Sequence, residues 1–172
     1  MKSKVMPPLV LTIICVIVSG LLAMANELTK DKVAEAQQNK LQSSLEETFG
    51  EAEYTVVDQT YDKINQVIRD DSGRVIFDIT VDGYSKGGLQ LLIGIDAEGK
   101  TCGVGIVACG ETPGLGTKVQ DDKSFSEQFL DQSSTDYDFS PITGATYSSK
   151  GMKNAVDIAI ETYNENKEAI LK

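Results

Sequence analysis

From Pro8 to Ala25 the chain runs for 18 residues with no ionisable group except Cys15. As a helix this stretch is just long enough to cross the hydrocarbon core of a bilayer. Lys2 and Lys4 precede it and no acid does, so the first 25 residues carry +2 while the remainder carries −12. Basic residues on the N-terminal flank predict a cytoplasmic N-terminus and an acidic domain on the far side. The rival is a cleaved signal peptide, because Ala23-Met24-Ala25 resembles a small-residue cleavage site. The apolar run is longer than an ordinary signal core and helical patterning continues beyond it, so the anchor is the reading adopted. It divides the chain into a cytoplasmic N-terminus (1–7), a transmembrane helix (8–25), a connecting helix (26–50) and an extracytoplasmic domain (51–172), a single-pass arrangement in the cell (inner) membrane.

What the exported part can do is bounded by what it lacks. The 172 residues contain no histidine and no tryptophan. Ser-His-Asp and Cys-His catalysis, histidine metal sites and histidine-ligated haem are thereby excluded. The net charge of −10 argues against nucleic acid as a partner, since phosphates must be met by basic groups. Cys102 and Cys109 are expected to be free, half-buried thiols. A disulfide between them, possible outside the cell, would need the chain to turn, since seven residues along one extended strand span roughly 23 Å, far beyond disulfide reach.

Beyond the anchor, Glu27 to Phe49 reads as a helix with Val33, Ala34, Leu41, Leu45 and Phe49 near one face, ended by Gly50. Five strand-like runs follow: Tyr54–Val57, Ile64–Ile68, Val75–Val81, Leu89–Ile95 and Cys102–Ala108. Turn residues separate them, notably Asp70-Asp71-Ser72-Gly73, Asp82-Gly83 and Asp96-Ala97-Glu98-Gly99. Phe125, Phe129 and Leu130 suggest a short helix. From Ser149 to Leu171 an apolar stripe of Met152, Ala155, Val156, Ala159, Ile160, Tyr163 and Ile170 predicts a closing helix. Strands first and a helix behind them give an α+β domain with a mostly antiparallel sheet and packed helices.

Three motifs bear on chemistry. Gly94 to Thr101 satisfies the G-x-x-x-x-G-K-[ST] phosphate-loop pattern. That loop needs a helix after it, yet Cys102-Gly103-Val104-Gly105-Ile106-Val107 follows, a poor helix and a fair strand. The segment is therefore read as strand, turn, strand. Glu111-Thr112-Pro113-Gly114-Leu115-Gly116-Thr117-Lys118 comes directly after a strand, and its glycines can lie flat against a planar ligand or form an ordinary surface turn. Thr143-Gly144-Ala145-Thr146-Tyr147-Ser148-Ser149 precedes the last helix, where free amides and the positive dipole end make a phosphate site. Capping of that helix by Ser148 or Ser149 is the competing use of the same hydroxyls.

Taken together, these two motifs resemble the FMN-binding domain of the G subunit of Rnf electron-transport complexes, shared with the C subunit of the sodium-translocating NADH:quinone reductase. Glu111-Thr112-Pro113-Gly114-Leu115-Gly116, then Thr143-Gly144-Ala145-Thr146, carry the likeness, with Gly83-Tyr84, Gly94-Ile95-Asp96, Gly99 and the N-terminal anchor. Ser140 and Cys109 depart from the family pattern. The resemblance implies FMN joined through a phosphoester to Thr146 by a separate flavin transferase. It further implies that Thr143, Gly144, Ala145 and Ser148 shape the phosphate pocket and that Glu111, Thr112, Gly114, Leu115 and Gly116 line the isoalloxazine. Lys118 would favour the reduced, anionic ring. The implied role is an electron carrier among other membrane subunits of an Rnf-type ion-translocating ferredoxin:NAD oxidoreductase, the short domain favouring Rnf over the quinone reductase. A stand-alone FMN module of another extracytoplasmic chain and a cofactor-free tethered scaffold are the alternatives.

Overall fold

The computed structural model describes residues 2–171; Met1 and Lys172, the outer limits of the expected N-terminal segment and domain, lie outside them. The described chain divides between Lys40 and Leu41 into two compact units.

The described part of the first unit is helix alone. Helix α1 runs Lys2–Phe49, so the membrane-length stretch and the expected connecting helix are one continuous element. It is long and apolar enough to cross a membrane. Its large apolar side chains, Leu9, Leu11, Ile13, Ile17, Leu21 and Leu22 among them, are exposed. Val33 and Ala34, expected near one helix face with the others, are exposed as well; among the described side chains of α1, those that bury apolar surface are in the last turns, Leu41, Leu45 and Phe49.

In the second unit, α1 ends at Gly50, whose φ of 88° supplies the left-handed turn and whose amide returns to the Glu46 carbonyl at 3.0 Å. Strands β1 (Thr55–Val57), β2 (Ile64–Arg69), β3 (Val75–Val81), β4 (Leu89–Ile95) and β5 (Thr101–Cys109) form one antiparallel sheet in the order β1-β2-β3-β4-β5. Asp70 builds the β2–β3 turn by accepting from the Ser72 and Arg74 amides and pairing with Arg74 Nε at 2.5 Å. Short helices α2 (Lys118–Asp121) and α3 (Lys123–Glu127) lead to α4, Thr146–Ile170.

Strand alternation assigns the two faces. Val75, Phe77, Ile79 and Val81 of β3 join Leu89, Leu91, Ile93 and Ile95 of β4 beneath the stripe of α4, whose seven expected residues are all buried. Opposite, Ile68, Ile76 and Leu92 meet Leu45 and Phe49 at the end of α1. That smaller face requires small residues: a Cβ on Gly103 would lie 2.5 Å from the Phe49 ring, and one on Gly94 would overlap it. Gly94 to Thr101 is a β4–β5 hairpin, with Gly99 at φ 86° and Lys100 N donating to Asp96 Oδ1 at 2.8 Å. Cys102 and Cys109 stand free near opposite ends of β5; Cys109 is half-buried, but Cys102, at the start of the strand, is exposed rather than half-buried.

Candidate functional site

Three segments converge at one edge of the domain: the β3–β4 loop, the loop after β5, and the start of α4. The last begins three residues earlier than the sequence indicates. Gly144 takes φ 85°, Ala145 N closes a turn on the Ile142 carbonyl at 2.9 Å, and the chain enters the helix at Thr146. Ala145 occupies the N-cap with no side chain able to cap, and the first intrahelical bond runs from Ser149 N to Ala145 O at 2.9 Å. The amides of Thr146, Tyr147 and Ser148 precede that bond and so have no helical acceptor.

Neither expected serine cap forms, because both residues lie inside the helix. Ser149 Oγ accepts from Ile142 N at 3.1 Å. Ser148 turns inward, where its hydroxyl donates to Glu111 Oε2. The positive end of a 25-residue helix is left open.

Glu111 ties the three segments together. It is 5% exposed, and its carboxylate accepts from Tyr84 N and Ser85 N, each at 3.0 Å, besides Ser148. Burial alone would raise this carboxyl, but the bonds from Ser148, Ser85 and Tyr84 outweigh it and hold Glu111 below the usual range. Glycines make room for the carboxylate: a Cβ on Gly83 would sit 2.7 Å from Glu111 Oε1, and one on Gly116 would sit 2.7 Å from its Cβ and 2.8 Å from Ser148 Oγ. The loop after β5 folds over it. Leu115 N and Gly116 N return to the Thr112 carbonyl at 3.1 and 3.0 Å, while Gly114, at φ 74°, donates to Thr117 Oγ1.

Between these segments lies a cleft of about 380 Å³. Its volume falls within the roughly 300–1,000 Å³ of small-molecule sites. Thr112, Leu115, Gly116, Gly144, Ala145, Thr146 and Ser148 line it. Glu111 lies beneath as a brace. Gly114 and Thr143 shape the flanking turns, and Lys118 opens α2 beside a separate depression with Asp121, Asp122, Lys123 and Ile142. Two lining residues went unassigned by sequence reasoning, Tyr84 and Tyr147. The signal was available in Gly83-Tyr84 and in an aromatic directly after Thr146, but nothing in one dimension brings these rings together.

The cleft suits a phosphorylated planar ligand. Free amides and a hydroxyl stand at the helix end, and Leu115 with two tyrosines offers apolar surface beside them. Comparison with known proteins agrees with that chemistry. Residues 83–161 match the model of the FMN-binding domain, and residues 9–48 match the RnfG N-terminal region. The G subunit of the ion-translocating oxidoreductase complex of Shewanella baltica is 30% identical, over 93% of this chain and 89% of that protein. The chain belongs to this G-subunit family. The proteins of the same name from Vibrio atlanticus, at 28% identity over 95% of this chain and 91% of that protein, and from Pseudomonas aeruginosa, at 26% over 99% and 93%, extend the likeness along the whole length. The FMN-binding match contains Tyr84, the loop after β5 and the start of α4; the N-terminal match lies within α1.

Proposed function

We propose that this G-subunit relative carries FMN in the cleft, covalently, through a phosphoester to the Thr146 hydroxyl. The observation that carries the reading is the uncapped start of α4. Thr146 is its first helical residue, exposed, on the wall of the cleft, where the following amides favour a phosphate. Gly144 and Ala145 keep the approach free of bulk. Thr143 and Ser148 complete the phosphate side, and Thr112, Gly114, Leu115 and Gly116 the ring side. Lys118, two residues beyond Gly116 at the start of α2, acts through its charge. A flavin bound without a covalent link outside the cytoplasm would be lost by dissociation; the bond, made by a flavin transferase, retains it. The electron chemistry is the flavin's, and the chain supplies position and surroundings.

In this reading the domain stands on the extracytoplasmic side, held by a single pass of α1 with its N-terminus in the cytoplasm. It relays electrons within an Rnf-type complex that couples ferredoxin-to-NAD transfer to export of sodium or protons. The membrane-length stretch holds no carboxylate or lysine, so the ion path belongs to partner membrane subunits. The test is a tagged full-length chain isolated in mild detergent from its own membranes. Copurification of several multi-helix subunits, with flavin fluorescence that stays with this chain through a denaturing gel, is the expected result. A chain that runs alone and without flavin overturns the proposal; a flavinylated chain without those partners leaves a stand-alone carrier.

A further inference from the structure

Two large aromatic side chains stand open at the cleft. Tyr84 is 73% exposed and Tyr147 is 69% exposed, although both line its wall. Their rings approach edge to face, with centroids 6.3 Å apart and planes at 69°. Neither ring is held there by core packing; each is delivered by its backbone. Tyr84 N is bonded to Glu111 Oε2, and Tyr147 is the second residue of α4, one position from Ser148, whose hydroxyl reaches the same oxygen. One buried carboxylate thus fixes the positions of both aromatics. Exposed aromatic surface at a concave site favours a flat apolar ligand, and the amphipathic tyrosine tolerates water until that ligand arrives.

We propose that Tyr84 and Tyr147 are the ring-contacting pair of this site and receive the isoalloxazine between them and Leu115, with Glu111 as the positioning residue beneath. The proposal rests on the flavin reading above and specifies which side chains meet the ring. Because Thr146 directly precedes Tyr147, the phosphate anchor and one ring contact sit on adjacent residues of a single helical turn.

The test is optical. A tyrosine in contact with a light-excited flavin quenches it, because one electron passes from the phenol to the excited ring and then returns; phenylalanine keeps the shape and cannot donate. The full chain is produced in membranes with a flavin transferase, as wild type, Y84F, Y147F and the double variant. Wild type should emit several-fold less per flavin than free FMN. The double variant, with FMN still added to its peptide and the flavin absorbance unchanged, should emit several-fold more per flavin than wild type, and each single variant should fall between. Transient absorption of wild type should show a tyrosyl radical within the decay. A loaded double variant as dark as wild type overturns the proposal, as does a wild type that is as bright as free FMN or shows no tyrosyl radical. A wild-type peptide without the mass of FMN overturns the flavin reading itself and this proposal with it, so the two failures are distinguishable.

Discussion

Two segments of this chain look like phosphate loops, and only one leads into a helix. Gly94 to Thr101 has the stronger pattern, with two glycines, a lysine and a threonine in register. Thr143 to Ser149 has one glycine and no cation. In three dimensions the first is a hairpin whose Gly94 exists because the Phe49 ring lies over it, and whose Thr101 hydroxyl donates to the Phe129 carbonyl at 2.5 Å. The second turns through Gly144 into a 25-residue helix with an uncapped start. What separates them is the next element. A glycine loop offers convergent amides to a phosphate only when a helix follows; when a strand follows, the same glycines serve packing.

The sharpest way to break this contrast is to remove the hydroxyl at the true site. T146A should abolish covalent flavin while the fold is unchanged, since Thr146 is exposed; in-gel flavin fluorescence beside a thermal melt reads both. Glu111 comes next. E111Q replaces one of the two acceptor oxygens by an amide donor, which must face either Ser85 N or Tyr84 N and Ser148 Oγ. A loss of about 2 kcal/mol is expected, as for hydrogen bonds to a charged group, measured by denaturant titration. The same group gives a pH signature. Its folded pKa is lowered from the ordinary 4.5. Its contribution is therefore complete above that value and lost as pH falls through the lower folded pKa. Acid titration of wild type should be steeper there than that of E111Q.

The packing glycines and the turn glycine should behave differently. G103V drives a side chain into Phe49 and should cost about 1–3 kcal/mol by overpacking, with the surviving folded protein still flavinylated. G144A places a side chain at φ 85°, costing about 1–2 kcal/mol, and because that turn aims Thr146, flavin loading should slow as well. K100A, at the hairpin, should change neither stability nor flavin content. Tight binding of ATP by wild type but not K100A would reverse the assignment of the two loops.

The same contrast shows what one dimension can carry. Val75–Val81 and Leu89–Ile95 are legible to the residue because apolar runs end at turns that Asp opens, Asp82-Gly83 and Asp96-Ala97-Glu98-Gly99, and the α4 stripe because helical spacing repeats from Met152 to Tyr163. The start of α4 was not, since Thr-Gly-Ala-Thr has loop composition and only the positive φ of Gly144 lets the helix begin at once. Val33 and Ala34 fit a helical stripe, yet nothing in the described unit packs on them. Most of the cleft could be named from two motifs. The brace role of Glu111 could not, because its partners Tyr84 and Ser148 lie 27 and 37 residues away in opposite directions along the chain. The tyrosine pair was hidden for the same reason.

The central claim, that the open start of α4 holds FMN on Thr146, has one direct measurement. The protein is purified from native membranes that contain a working flavin transferase, and the tryptic peptide Ser124–Lys150 is weighed and fragmented. The account predicts the peptide mass increased by FMN less one water, with fragments placing the addition on Thr146. An unmodified peptide, or an addition on any other residue, would contradict it.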